Sequence, residues 1–352
     1  MFKINHYTNS FISVEGDNSI IICDPWVGKT NDNGWYSYPI KNISDIKIKK
    51  FKTNFIYISH LHCDHLDFKT LKNIVNSNTI FIIKKFENNI LKKRIHQFCT
   101  NKVIELDSFK KTKINKDFSV AIVPQIISNS SDLPDNINYD LDTSIIIQSN
   151  KDKTIFFNNV DTPMNLNVLK KIKKFITSNF KRNVDVFCYA LGAASEFPQC
   201  FMNVNRGKEQ KRIINESLEE IYSYIKFLKP KVFFPAGGTY AIYGKFYKLN
   251  KFIAQPTSQQ IQKKLSKLNT KVYDLIGGGS ILLNKDNFYL SKKPKIITSV
   301  FHKKFLNQIK KLKYYYEINE KKVDLPMLDR TFYNAKQNYF KILGKKNKIN
   351  TK

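Results

Sequence analysis

Short apolar runs and alternating segments recur along the first 295 residues and predict β-strands. Residues 10–15 alternate between apolar and polar side chains, whereas residues 19–23 and 55–59 are continuous apolar runs. Alternation is typical of a strand with one face in the core, and a short continuous run is typical of a strand inside a sheet. The same patterns predict further strands at residues 79–83, 118–123, 143–148 and 154–157.

Helical periodicity is interposed between these strands. Asp67 fits an N-cap for a helix with apolar residues on one face, and residues 208–228 form a long helical stretch. Strands with interposed helices predict sheets covered by helices rather than a helical bundle. From residue 296 the composition becomes rich in Lys, Tyr and Asn, with helical periodicity over residues 300–316. We therefore predict an α/β domain at 1–295 and a Lys-rich helical extension at 296–352.

Composition excludes several classes of protein. Hydrophobic residues make up 42% of the chain and aromatic residues 13%, which excludes a disordered or fibrous protein. No apolar run approaches the ~20 residues that a membrane span needs, and the N-terminus lacks a secretory signal pattern. Five cysteines without regular spacing favour reduced thiols over a disulfide framework, and hence a cytoplasmic location.

The formal net charge of +30 invites the hypothesis of a nucleic-acid partner. The chain contains five arginines among its 59 basic residues, however, and arginine makes the bidentate contacts that read guanine and phosphate. A lysine excess spread along the whole chain indicates a compositional bias instead. We expect no specific nucleic-acid partner, although the charge is compatible with a small acidic substrate.

The segment FIYISHLHCDHL places three of the six histidines within residues 60–65, directly after an apolar run. His60 and His62 can converge on one metal ion, while Asp64 and His65 face a second, and divalent ions take such N and O donors. A set of surface histidines near a helix start is the alternative. Asp161 also follows an apolar run and is the natural bridging ligand beside this cluster. We predict one or two divalent ions, iron or zinc, with Asp64 and Asp161 as catalytic residues.

Several segments occur in the same order as in a known family. They are DPWVG at 24–28, GW at 34–35, ISHLHCDHL at 58–66, DTSIII at 142–147, NVDT at 159–162, ALGAASEFPQCF at 190–201 and FPAGG at 234–238. The histidine motif resembles the metallo-β-lactamase superfamily, and the whole set resembles the CMP-N-acetylneuraminate hydroxylase family over roughly residues 1–280. This resemblance implies a four-layer αβ/βα sandwich with its metal site at one edge.

Two departures from common hydrolases of this fold bear on function. No histidine lies between residues 123 and 142, and none lies in the segment FPAGGTY at 234–240, where the late strand at 232–234 ends. The first metal is then left with His60, His62 and Asp161, and two histidines with one carboxylate are the ligands of non-haem Fe(II) oxygenases. The resemblance implies an oxidoreductase acting on a nucleotide-activated acidic sugar such as a CMP-sugar. A phosphodiesterase- or lactonase-like hydrolase using a metal-bound hydroxide is the alternative, and a binding protein retaining part of the site is a third.

The hydroxylase family also carries a Rieske domain held by C-x-H and C-x-x-H pairs. Here the C-x-H pattern occurs at Cys63 and His65, inside the metal motif, and C-x-x-H does not occur. An oxygenase built on this chain would need a separate electron-transfer protein.

Other residues receive expected roles beside the metal ligands. His6 is expected to line the site or to support it, with a structural histidine as the alternative. Asp24 is expected to hold a metal-bound imidazole in its tautomer. Small residues in the segment after residue 190 let backbone N–H groups approach an anion, with a plain turn as the alternative. The predicted substrate-binding residues there are Gly192, Ala193, Ala194, Ser195, Phe197 and Pro198. His302 has no motif around it and is expected at the surface.

Overall fold

The computed structural model describes residues 2–30, 34–49, 51–126, 142–192, 195–284, 287–319 and 325–349. Ala193 and Ala194, two of the predicted substrate-binding residues, lie outside this set. The chain divides into two units, Met1–Leu312 and Lys313–Lys352. Among the described residues, we find no helix with the length and apolar character that a membrane span requires.

Seventeen strands lie among the described residues of the larger unit. In chain order they are β1 (Lys3–Thr8), β2 (Phe11–Glu15), β3 (Ser19–Cys23), β4 (Trp35–Ser37), β5 (Thr53–Tyr57), β6 (Thr79–Lys84), β7 (Lys102–Leu106), β8 (Thr112–Lys113), β9 (Phe118–Pro124), β10 (Thr143–Ser149), β11 (Ile155–Asn159), β12 (Val186–Tyr189), β13 (Val232–Pro235), β14 (Tyr240–Ile242), β15 (Lys271–Val272), β16 (Gly279–Asn284) and β17 (Asn287–Lys292). They form an eight-stranded sheet, β17-β16-β1-β2-β3-β5-β6-β7, and a seven-stranded sheet, β15-β13-β12-β11-β10-β9-β8. A small ribbon pairs β14 with β4.

The described α-helices of the larger unit include five that cover the outer faces of the two sheets and a sixth that packs against Tyr38. They are α1 (Phe68–Ile74), α2 (Ile90–Phe98), α3 (Leu166–Phe180), α4 (Arg206–Leu228), α5 (Ser258–Leu265) and α6 (Ser299–Ile309), with 3₁₀ helices at Ile43–Asp45 and Gly244–Phe252. Leu71, Leu91 and Ile95 bury α1 and α2 against the eight-stranded sheet. Apolar faces of α3, α4 and α5 cover the other sheet in the same way. The smaller unit contains α7 (Tyr315–Asn319) and α8 (Leu325–Ile349).

The main core lies between the two sheets. Ile21 and Phe55 from one sheet pack in the same cluster as Ile145, Phe156 and Phe234 from the other, and all five are essentially inaccessible to solvent. Helices outside, sheets inside and a core between the sheets make four layers. The predicted αβ/βα sandwich is therefore confirmed.

Local details follow the sequence signals closely. Asp67 caps α1, because its side chain accepts hydrogen bonds from the backbone N–H groups of Lys69 and Thr70. The long helix begins at Arg206, two residues earlier than predicted, because the side chain of Asn205 caps it. The periodicity predicted over 300–316 is divided between α6 and α7. The division at residue 295 stays a prediction, and the structure groups α6 with the larger unit.

Strand direction brings several strand ends to one edge of the sandwich. Because β3 and β5 are parallel, Asp24 and the loop after Tyr57 lie at the same edge. Strand β10 is antiparallel to β11, so Asp142 just before β10 lies beside Asp161 just after β11. The hydroxyl of Thr143 donates to a loop carbonyl of the other sheet, which joins the two edges. The turns before β3, β9 and β11 lie at the opposite end.

Candidate metal centre

The loop that carries the three clustered histidines leaves the end of β5 and folds back on itself. The backbone N–H of His65 donates to the carbonyl of His62 at 2.9 Å, so the loop forms a tight turn. The imidazole centroid of His60 then lies 4.4 Å from that of His62 and 4.1 Å from that of His65. The structure therefore brings these three predicted ligands together.

Two groups of side chains offer donor atoms that all lie within 4.8 Å of one another. The first group is His60, His62 and Asp142, and the second is His60, His65 and Asp161. In the first, Nε2 of His60 lies 2.7 Å from Nδ1 of His62 and 3.4 Å from Oδ1 of Asp142. In the second, Nε2 of His65 lies 2.6 Å from Oδ2 of Asp161. His60 belongs to both groups, which places them side by side.

Asp142 is the residue that sequence reasoning missed as a ligand. The segment before Asp142 contains no histidine, and the carboxylate of Asp142 was not among the predicted ligands. Its position directly before β10 was the available signal, because an antiparallel neighbour of β11 must begin at the edge where Asp161 lies. Asp161, by contrast, groups with His60, which was predicted to bind the first ion, and with His65, which was predicted to bind the second. A bridging ligand would do the same.

Asp161 also provides a test of whether a metal ion fits here. Its Oδ1 atom is buried and has no hydrogen-bond partner among the described residues. A buried carboxylate oxygen without a partner costs free energy unless a nearby charge compensates it. A divalent cation held by His60, His65 and Asp161 would supply that charge, and imidazole and carboxylate are donors such ions accept. The residues present fit a metal ion.

Asp64, the other predicted ligand, lies at the side of the second group. Its Oδ2 atom is 3.7 Å from Nε2 of His65. The same oxygen accepts a hydrogen bond from the side-chain amide of Asn9 at 3.2 Å. Asn9 comes from the turn between β1 and β2, so this turn fixes the carboxylate from the other side.

The pKa values of the two buried histidines at the centre are shifted in opposite directions. Burial, followed by the two neighbouring imidazoles, holds the pKa of His60 well below its ordinary value. Burial alone would also lower the pKa of His65, but three carboxylates hold it well above the ordinary value. These are the carboxylates of Asp161, Asp24 and Asp64. The centre therefore attracts positive charge most strongly around His65.

The crowded carboxyl groups show the same need for a cation. Burial and the neighbouring charge of Asp161 raise the pKa of Asp142 to about 6. Burial likewise raises the pKa of Asp64, which is almost inaccessible to solvent. Each carboxylate destabilises its neighbours because their charges are alike and solvent is excluded. A bound cation would reverse both shifts.

Ser59 and Asp24 contact the Nδ1 side of the imidazoles and fix their orientation. The Ser59 hydroxyl lies 2.8 Å from Nδ1 of His60 and 3.2 Å from Nδ1 of His65. The backbone N–H of Ser59 donates to Oδ1 of Asp24 at 2.8 Å, and Oδ2 of Asp24 lies 3.2 Å from Nδ1 of His65. This is the supporting position expected for Asp24.

His6 lies behind the centre and is not part of either donor group. It is fully buried, and its Nε2–H donates to the backbone carbonyl of Asn9 at 2.8 Å. Asn9 in turn donates to Asp64, so His6 contacts the site through one intermediate residue. Burial lowers the pKa of His6 to about 4. The geometry favours the supporting role of the two alternatives expected for His6.

The predicted substrate loop begins next to Asp161. A side chain on Gly237 would meet Oδ1 of Asp161 at 3.1 Å and Cβ of Ala190 at 2.9 Å, so the three are close neighbours. Gly192 has φ +85°, and a Cβ there would lie 2.0 Å from the carbonyl oxygen of Ala254. Only glycine fits that position.

Residues 195–198 of the loop pack against the ribbon of β4 and β14. The Ser195 carbonyl accepts a hydrogen bond from the hydroxyl of Tyr240 at 2.7 Å, and Tyr240 stacks on Trp35 with centroids 4.1 Å apart. Phe197 and Pro198 are joined by a cis peptide bond. Of the predicted substrate-binding residues that the structure describes, Ser195 is thus held by Tyr240, and Phe197 packs on Phe201.

Gly238 and Thr239 line a cavity of about 440 Å³. Its polar lining includes Tyr38, Asp274 and His302, and it contains no lysine or arginine among the described residues. His302 is exposed, and its Nδ1 atom lies 3.0 Å from the hydroxyl oxygen of Tyr38. His302 therefore lies at the surface, as expected, while Phe301 and Phe305 of α6 pack onto Tyr38.

This chain is similar to parts of several longer proteins. No protein-family model matches the chain. It is similar to the cytidine monophosphate-N-acetylneuraminic acid hydroxylase of Pan troglodytes, with 23% identity over 286 residues, 78% of this chain and 44% of that protein. It is also similar to a Rieske 2Fe-2S iron-sulfur protein of Mycolicibacterium smegmatis, with 23% identity over 197 residues, 56% of this chain and 35% of that protein. The chain spans less than half the length of these relatives.

Solved structures give the same result for the fold. CmlA, a diiron β-hydroxylase from Streptomyces venezuelae, superposes with a TM-score of 0.54 and 15% identity, covering 80% of this chain and 54% of that one. The isothiocyanate hydrolase from Delia radicum gut bacteria superposes with a TM-score of 0.52 and 12% identity, covering 80% and 98%. Together with the two-sheet sandwich and the histidine loop at its edge, these likenesses show that the chain has the fold of the metallo-β-lactamase superfamily.

Proposed function

We propose that this protein is a metal-dependent oxidoreductase, hydroxylase-like in its chemistry, that acts on a nucleotide-activated acidic sugar. The observation that carries the proposal is the pair of donor groups sharing His60. His60, His62 and Asp142 would hold one ion, and His65 and Asp64 would hold a second, with Asp161 between them. Such ions supply Lewis-acid polarisation and, in the case of iron, redox chemistry.

The ligand set favours iron at the first position. Two imidazoles and one carboxylate, here His60, His62 and Asp142, leave positions open for other molecules, as in non-haem iron oxygenases. The similarity to proteins named hydroxylase and diiron β-hydroxylase supports the same chemistry. The sequence predicted His60, His62 and Asp161 for the first ion. In the proposed set, Asp142 takes the place of Asp161.

The chain's own residues would prepare the centre for this chemistry. Asp24 and Ser59 hold the imidazoles in fixed orientations, and Asn9 holds Asp64. The adjoining segment of Gly192, Ser195, Phe197 and Pro198 would contact the substrate. A net charge of +30 raises the local concentration of any anionic substrate near the surface.

Electron supply is the main requirement of this proposal. The chain has no C-x-x-H pair with which to hold a Rieske cluster. The named Rieske relative and the hydroxylases extend well beyond the matched region. We propose an electron-transfer protein as a partner, and the similarity to a Rieske 2Fe-2S iron-sulfur protein supports this.

A hydrolase is the second candidate, and one observation favours it. The two donor groups adjoin closely enough for two ions to act on one substrate, which suits metal-assisted hydrolysis without any electron donor. The chain also superposes on an isothiocyanate hydrolase, and the match covers 98% of that hydrolase. This likeness is consistent with the second candidate.

Metal analysis and turnover distinguish the two candidates. Protein purified without added metal would be assayed with CMP-N-acetylneuraminate, with and without oxygen and a ferredoxin-based electron supply. Bound iron with oxygen-dependent hydroxylation supports the oxidoreductase. Bound zinc or manganese with oxygen-independent cleavage of a lactone or a phosphodiester supports the hydrolase. The control is an Asp107→Asn variant, which changes an exposed carboxylate outside both donor groups. It should keep the metal content and the turnover of the unchanged protein.

A further inference from the structure

Three turns at the end of the sandwich opposite the metal centre enclose a lysine-rich cavity. The cavity has a volume of about 600 Å³ and lies between the turns that precede β3, β9 and β11. The lysines that line it are Lys111, Lys113, Lys116, Lys151 and Lys153. Strand β10 runs from the metal edge at Thr143 to this end at Ser149, a length of ~20 Å at about 3.3 Å per residue. The cavity is therefore separate from the metal centre.

Hydrogen bonds between the turns hold the cavity in shape. Asp117 accepts hydrogen bonds from the backbone N–H of Asn18 at 2.8 Å and from the hydroxyl of Ser19 at 2.7 Å. The backbone N–H of Asn150 donates to the carbonyl of Asp117 at 2.7 Å. The hydroxyl of Ser119 donates to the side chain of Asn150 at 2.7 Å. The walls are thus joined to one another without a ligand.

The lysines of the cavity are poorly compensated by carboxylates. Asp17 lies 3.2 Å from Lys151, and Asp117 is already occupied by its hydrogen bonds. Within the described ranges, the other four lysines form no ion pair with a carboxylate. Lys111 instead lies 4.7 Å above the ring of Phe180, a favourable but weaker contact for a cation.

Two of these lysines also repel each other. Burial, followed by the charge of Lys153, lowers the pKa of Lys111. The ammonium group of Lys153 donates to the backbone carbonyl of Asn150 at 2.7 Å, which holds it near the cavity. Positive charges that are crowded together without a counter-charge bind an anion more strongly than dispersed charges do, because the field adds up within the concave surface.

We propose that this cavity binds a small anion that carries several phosphoryl groups. Lysine ammonium groups bind phosphate as point charges, and here they come from β8 with the residue before it and from the turns before β9 and β11, so several anionic groups are needed to reach them. Side chains of Gln148, Ser149 and Asn150 add neutral hydrogen-bonding groups to the same lining. The proposal does not depend on the activity proposed for the metal centre.

The test compares two double variants that remove the same number of charges. Lys113→Gln with Lys116→Gln changes the cavity, whereas Lys170→Gln with Lys174→Gln changes exposed lysines of α3. Isothermal titration calorimetry with inorganic tripolyphosphate would measure affinity at moderate salt. The cavity variant should bind about tenfold more weakly, which corresponds to about 1.4 kcal/mol, and the α3 variant should bind like the unchanged protein.

Equal weakening in both variants would overturn the proposal, because the anion would then be responding to overall charge. Absence of saturable binding to the unchanged protein would also overturn it. Thermal unfolding of each variant checks that the fold is intact, and Lys116→Gln alone replaces the double variant if it is not. A short oligothymidylate is the second arm of the test. Its displacement of tripolyphosphate from the unchanged protein, but not from the cavity variant, supports the site with a nucleic-acid backbone as the source of the phosphates.

Discussion

The imidazole of His65 is held by Asp24, with Nδ1 of the histidine 3.2 Å from Oδ2 of the carboxylate. This contact directs the opposite nitrogen, Nε2, toward Asp161. Replacing Asp24 with Asn leaves an acceptor for the Ser59 N–H but removes the charge that fixes the histidine tautomer. We expect Asp24→Asn to weaken metal affinity by about 10- to 100-fold without removing the site.

Competition of the metal-loaded protein with a chelator measures this change in affinity. Asp45→Asn is a matched control, since Asp45 is an exposed carboxylate on a 3₁₀ helix. Unchanged affinity in Asp24→Asn would show that the contact with His65 does not support the metal.

Asp142→Ala tests the ligand that only the structure identified. Removing this carboxylate leaves His60, His65 and Asp161 in place, so we expect the metal content to fall from two ions to one. Elemental analysis after dialysis gives the ratio of metal to protein. His62→Ala should give the same ratio, because it removes another member of the same donor group. Full occupancy in both variants would exclude this group as a metal site.

Asp161→Ala should have a larger effect than Asp142→Ala. Asp161 groups with His60 and His65, one from each predicted pair, and its buried Oδ1 has no other partner among the described residues. If it bridges two ions, its removal loses both, and elemental analysis should find less than one ion per chain. Retention of two ions would show that the carboxylate does not bridge.

Gly237→Ala should disturb the centre through the backbone. Gly237 has φ +94°, and an added Cβ would lie 2.5 Å from a methyl carbon of Val160 and 3.1 Å from Oδ1 of Asp161. Strain at such a position costs about 1–3 kcal/mol, so the free energy of unfolding should fall by that amount and metal affinity should fall with it. Urea unfolding of the metal-free and metal-loaded protein separates the two effects.

Gly207→Ala is the control for this substitution. Gly207 lies in α4, where an added Cβ would meet only a side-chain oxygen of Asn205 at 3.8 Å. The change should leave stability unchanged or raise it by up to ~1 kcal/mol, because alanine favours a helix. A similar loss of stability in both variants would contradict the role assigned to Gly237.

His6 should make the folded protein sensitive to acid. Burial lowers the pKa of His6 to about 4, below its ordinary value of 6.5. The unfolded chain therefore binds the proton more readily between pH 6.5 and 4, so stability is lost as the pH falls through this window. From this residue alone we expect the metal-free protein to lose about 2 kcal/mol between pH 8 and pH 5.

Urea unfolding at pH 8 and pH 5 measures this loss in the unchanged protein and in His6→Gln. The variant has no group that titrates at this position, so its loss between the two pH values should be smaller by about 2 kcal/mol. Equal losses in the two proteins would show that His6 is not buried in its neutral form.

The sequence predicted the elements whose signals are local. The cap at Asp67 and the strand before the histidine loop depend on a few consecutive residues, and each lies where predicted to within about two residues. The H-x-H-x-D-H spacing likewise determined that His60, His62 and His65 converge, because one tight turn is enough to bring them together. The order of strands and helices predicted sheets covered by helices, and the resemblance to a known family implied the four-layer sandwich.

Only the tertiary structure decided which distant residues join the centre. Asp142 lies beside His60, 82 positions earlier in the chain, because the two sheets stack with these edges together. Gly237 approaches Asp161, and Asn9 holds Asp64 across 55 positions, through contacts that no local pattern encodes. The physical reason is that a strand's hydrophobic pattern determines which face is buried, whereas the stacking of two sheets determines which strand ends meet.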